Sequence, residues 1–85
     1  MKPSIETNAG TVVPGTLIRI VRMADEATPS RAFPDGIDHQ ARAYNGKTGT
    51  VNHIDDRGQI HGTWGGLALQ ADRDEIEILK QPDKR

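Results

Sequence analysis

Nine glycines and five prolines break this 85-residue chain into short runs, and within most of those runs apolar residues alternate with polar ones. Both residue types destabilise a helix interior, whereas a period of two marks a strand with one buried face. Thr16-Leu17-Ile18-Arg19-Ile20-Val21-Arg22-Met23 is rich in β-branched residues, with Ile18 and Ile20 alternating against Arg19. It follows the Pro14-Gly15 turn and reads as the first strand. Lys47 to Ile54 reads as the second. Asp55-Asp56-Arg57-Gly58 is a hairpin turn, since Asp tolerates turn dihedrals and Gly58 accepts positive φ. Gln59 to Trp64 returns, Gly65-Gly66 turns again, and Leu67-Ala68-Leu69 is a short fourth strand. After the polar bend from Gln70 to Asp74, Glu75-Ile76-Glu77-Ile78-Leu79 closes the series with strict alternation.

A sheet this small buries one face only by curling on itself, so the expected fold is all-β, a five-stranded and partly open barrel. The barrel is expected over residues 14–79. Residues 1–13 read as a flexible lead-in, with Thr11-Val12-Val13 at a sheet edge, and 80–85 as a charged tail. Residues 24–46 form a long loop after the first strand, a length unusual inside a compact domain, and read as either a functional excursion or a partly disordered segment. It contains Pro29, Pro34, a Phe33-Pro34-Asp35-Gly36 turn and Asn45-Gly46, and Ile37 to Ala43 has room for one helical turn. The expected inward residues are Ile18, Ile20, Val51, Ile54, Ile60, Trp64, Leu67, Leu69, Ile76 and Ile78. Val51 and Ile54 have opposite parity, so both face inward only with a bulge or twist between them.

Composition removes several classes of protein. There is no cysteine, which excludes a disulfide scaffold and a thiolate zinc site and points to a reducing, cytoplasmic setting. No window approaches the run of about 20 apolar residues that a membrane-spanning helix needs. The formal net charge is −1 with scattered basic residues, unlike the basic stripe of a dedicated nucleic-acid binder.

The blocks Gly15-Thr16, Ile18, Ile20 and Met23, then Gly46-Lys47-Thr48-Gly49-Thr50-Val51, Asp55 to Ile60, and Trp64-Gly65-Gly66-Leu67-Ala68-Leu69 occur in a distinctive order. Over residues 14–79 the chain resembles a short bacterial and phage family of domains without an assigned activity, common on mobile elements. The resemblance implies an SH3-like barrel. The Gly-x-x-Gly-x-Val step also resembles small translation and transcription barrels of the KOW type. This chain departs from the pattern in its longer segment between Met23 and Gly46.

No catalytic signature is present. Ser4 and Ser30 lack a nucleophile elbow, and the Gly-Lys-Thr at 46–48 lacks the upstream glycine and following helix of a phosphate loop. The carboxylates at Asp55-Asp56 and at Asp72 to Glu75 lie in turns, where Asp commonly accepts from nearby backbone N–H groups. If Asp55 pairs with Gln59, then His53 faces His61 across the hairpin, close enough to share an ion. A zinc site wants three or four ligands and would need Asp55 or His39 to complete it. The bland reading, two outward histidines, is preferred, and no metal or cofactor is expected.

The chain is therefore expected to be a non-catalytic interaction module. Its protein partner is expected on the long loop and the adjacent hairpin turns, at Phe33, Tyr44, Trp64, Arg42 and His61. Trp64 is either a core plug or part of an aromatic surface with Phe33 and Tyr44. The alternative is a nucleic-acid accessory role of KOW-like type, which requires Arg19, Arg22, Arg31, Arg42, Lys47 and Arg57 to converge on one face.

Overall fold

The structure is a computed structural model that describes residues 1–82. Seven strands and one helical turn follow in the order β1 (Ile5–Thr7), β2 (Gly10–Val12), β3 (Leu17–Arg22), α1 (His39–Arg42), β4 (Thr48–Ile54), β5 (Gln59–Gly62), β6 (Leu69–Gln70) and β7 (Glu75–Lys80). The last five strands make one antiparallel sheet in the order β6-β5-β4-β3-β7. Each of the five strands read from the sequence overlaps one of these, although the third ends at Gly62 instead of Trp64 and the fourth, expected over 67–69, is Leu69–Gln70; the domain is all-β. The sheet is not closed, because its edge strands β6 and β7 do not pair with each other.

Alternation places the core. In β3, Ile18 and Ile20 are fully buried while Arg19 between them is exposed. Ile76 of β7 lies opposite Ile20, and Ile78 opposite Ile18. On the other side of β3, Leu17 pairs with Thr50 and Ile18 with Gly49. Val51, Ile54, Ile60, Trp64 and Leu69 complete the inner face of the sheet. Burial of each large aliphatic side chain is worth about 1.5–3 kcal/mol, so a core of so few residues tolerates little loss. The pairing of β4 with β5 shifts register between Val51 and His53, and this irregularity turns both Val51 and Ile54 inward. Leu67 and Ile78, expected inside, are only partly buried against the core, whereas Met23 just before the loop and Ala41 of α1 join it.

The first 13 residues correct the expected lead-in. They form a hairpin of their own, β1 against β2, with Ile5 opposite Val12. Val12 is fully buried in the core. Lys2 bridges to Ile54 of β4. The Asn8 carboxamide donates to the Ile76 carbonyl at 3.0 Å and accepts from the Ile76 N–H at 2.9 Å, covering the edge of β7 there. The hairpin is thus tied to the edge strand β7, and Lys2 just ahead of it to the central strand β4. Its signal was weak because each strand has only three residues. Lys80, expected in the tail, ends β7, and 83–85 lie outside the described residues.

Candidate functional site

The segment between β3 and β4 is a built excursion, tied to the sheet where it leaves and where it returns. At its departure the Met23 N–H donates to Asn45 Oδ1 at 2.8 Å, and the Ala24 N–H to Asp74 Oδ1 at 2.6 Å. The other oxygen of Asp74 accepts from the Gln70 N–H at 2.8 Å, so this buried carboxylate joins the loop to the bend before β7. At the return, the Gly46 N–H donates to the Ile20 carbonyl at 2.6 Å. Gly46 has φ +88°, a conformation open to glycine at little cost.

Farther out, Glu26 and Ile37 form an isolated antiparallel bridge, and the Asp38 N–H donates to the Asp25 carbonyl at 2.7 Å. Asp38 has extended backbone angles and its side chain accepts from Gln40 and Ala41 N–H, which makes it the N-cap of α1. The helix ends with Arg42, whose Nε donates to Asp25 Oδ2 at 2.8 Å, while Arg22 approaches the other oxygen at 3.8 Å. The Arg42 hydrogen bond holds the Asp25 carboxyl below its usual range, with Arg22 adding to the effect. The loop tip is a tight turn in which Ser30 and Gly36 N–H groups both donate to the Phe33 carbonyl.

Between this tip and α1 lies an open groove of about 470 Å³. Phe33, Pro34 and Ile37 supply its apolar lining, and Asp35, Asp38 and His39 its polar one. His39 Nε2 and Asp35 Oδ2 are 2.8 Å apart, and this hydrogen bond holds the Asp35 carboxyl below its usual range.

The expected site residues separate into four places. Phe33 is half-buried in the groove and lies outside the core cluster. Tyr44 packs against the core and lies over Gly65, where a Cβ would come within 2.4 Å of the phenol oxygen. Trp64 is the core plug, 5% exposed, with Nε1–H donating to the Leu67 carbonyl at 2.8 Å. Its ring covers Gly49 and Gly62, where added Cβ atoms would meet ring carbons at 3.0 and 2.2 Å. An aromatic surface shared by Phe33, Tyr44 and Trp64 is therefore not formed, because Trp64 is committed to the interior. Arg42 is exposed but bound to Asp25.

His61 sits on β5, with its partners on the hairpin rather than on the loop. The register is the one read from the sequence, His53 opposite His61. The two rings stack with centroids 4.4 Å apart. His61 Nε2 lies 2.9 Å from Asp55 Oδ2, and Asp55 Oδ1 accepts from the Arg57 and Gln59 N–H groups. The His61 hydrogen bond, followed by these backbone donors, lowers the Asp55 carboxyl to about 2. Among the described residues no group of three or more His, Asp or Glu side chains is arranged to hold a metal ion. Likewise, no helix among them is long and apolar enough to cross a membrane.

Of the six cations required for a nucleic-acid face, Arg19 is paired with Glu77, and Arg22 and Arg42 with Asp25. The sequence reading missed the anchors Asp25, Asp74 and Asn45. The Asp38 cap carried a local signal, an Asp ahead of a helical turn, but the Asp25–Arg42 and Asp74–Ala24 contacts join residues 17 and 50 positions apart and carry none. No family model, curated protein or solved structure matches the chain. Fold and site together define a class only: a small all-β domain with one five-stranded antiparallel sheet and an anchored loop.

Proposed function

We propose that this chain is a non-catalytic, SH3-like interaction module that binds a protein partner through loop 24–46 and the hairpin turns beside it. One observation carries the reading. The loop is fastened by side chains at its base, yet its outer part holds Phe33 and Ile37 in an open groove instead of in the core. A segment whose ordering costs this much backbone entropy, and which gives the core only Ala41 and the flank of Tyr44, gains little stability from its tip. The strand order supports the SH3-like reading: a β4-β5-β6 meander, with the first and last strands of the five-stranded sheet, β3 and β7, paired. The pairing of Arg19, Arg22 and Arg42 with carboxylates weighs against the nucleic-acid alternative, since those charges are already offset.

The test is site-specific photocrosslinking in the source cell. A photoreactive residue replaces Phe33 in one variant and Val21, an exposed residue on the outer sheet face, in another. The expected result is a discrete protein adduct from position 33 and none from 21. Equal adducts from both positions, or nuclease-sensitive adducts from 33, overturn the reading.

A further inference from the structure

Three asparagines occur in the chain, and only Asn45 precedes a glycine. That pairing has a chemistry of its own. With no Cβ on the following residue, its backbone nitrogen reaches the asparagine Cγ without steric obstruction. A new bond forms between the Gly46 nitrogen and Asn45 Cγ, and the Cγ–Nδ2 bond breaks. The proton lost by the nitrogen is matched by the one the leaving group takes up as ammonia. Water then opens the resulting succinimide at either carbonyl, giving Asp or isoAsp. No oxidant or enzyme is required.

Both reacting groups are exposed but engaged. The Gly46 N–H is committed to the Ile20 carbonyl at 2.6 Å, and Asn45 Oδ1 accepts from the Met23 N–H at 2.8 Å. These same two bonds fasten the return of the loop to its departure. We propose that Asn45 is a spontaneous deamidation site held in check by the loop base, and that its conversion releases loop 24–46. The reaction proceeds only from states in which the base has opened, so its rate follows the opening equilibrium. An Asp product keeps an oxygen for Met23. An isoAsp product inserts an extra methylene into the backbone between 45 and 46 and displaces Gly46 from Ile20.

Asn8 and Asn52 are internal controls, being followed by Ala9 and His53. The experiment incubates the folded chain and a urea-unfolded sample in mildly alkaline buffer. Peptide mass spectrometry then follows the exchange of NH₂ for OH at each asparagine, with isoAsp scored enzymatically. Expected are conversion at Asn45 ahead of the controls in urea, and a rate about tenfold or more slower in the folded chain. Asp74→Asn, which loosens the loop's departure, should accelerate the folded-state reaction while the urea rate stays fixed. Hydrogen exchange of the isoAsp-containing chain should rise in 24–46 and remain unchanged in β4 and β5. Equal rates with and without urea, controls reacting as fast as Asn45, or unchanged exchange in the loop would each overturn the proposal.

Discussion

The sheet and the loop are held by different forces. The sheet packs one face on Ile18, Ile20, Val51, Ile54, Ile60, Trp64 and Leu69, all nearly inaccessible to water. Loop 24–46 contributes Ala41 and one side of Tyr44 to that core, and is held mainly by carboxylates and a carboxamide: Asp25, Asp38, Asn45 and Asp74. Hydrophobic burial is non-directional and accumulates with area, so it gives one cooperative unit. Polar ties act singly and at fixed geometry, so a segment built on them can open while the sheet stands. That separation lets a small domain expose a shaped surface without spending its core on it.

The largest effect that tests the separation is at Trp64. Trp64→Ala removes the plug lying over Gly49 and Gly62 and should cost about 3–5 kcal/mol, a large share of what a domain this size possesses. Urea denaturation followed by circular dichroism should show the whole chain destabilised, loop included. A two-step transition with the sheet melting alone would contradict the view that the loop depends on it.

Asp74→Ala attacks the loop's fastening instead. It leaves the partly buried Ala24 and Gln70 N–H groups without their acceptor, at a cost of about 1 kcal/mol or somewhat more. Hydrogen exchange should rise through residues 24–46 and in the bend before β7, with β4 and β5 protected as before. Uniform loss of protection would place Asp74 in the core's cooperative unit and erase the contrast.

The same contrast decides what was legible in the sequence. Strands β3, β4, β5 and β7 and their inward faces follow from period-two alternation, and the Asp55–Gly58 turn fixes the β5 register down to His53 opposite His61. The irregularity between Val51 and His53 was legible too, because two inward residues of opposite parity demand one. The loop was not, because nothing local joins Asp25 to Arg42 or Asp74 to Ala24. Trp64 stood open between core and surface because its slot is made of absences, Gly49 and Gly62, on two different strands. The β1–β2 hairpin escaped because three-residue strands give alternation no length in which to show.

The smallest effect lies where the sheet itself uses a polar tie. Asp55 is only partly buried, and its carboxyl titrates at about 2, below the ordinary value near 4. Its folded-state value is depressed, so the ionised form contributes stability that is present above pH ~4 and is lost as pH falls through about 2. His61 Nε2 and the N–H groups of Arg57 and Gln59 make that contribution. Solvent screens a half-exposed group, so the gain is modest. Asp55→Asn should therefore narrow the stability difference between pH 5 and pH 2, measured as the urea midpoint at each pH, and leave the loop's exchange at neutral pH untouched. An acid limb as steep in Asp55→Asn as in the wild type would move the acid sensitivity to the loop carboxylates Asp25 and Asp35, which are also held below their usual range. The polar and apolar halves of the molecule would then part on acidification as well.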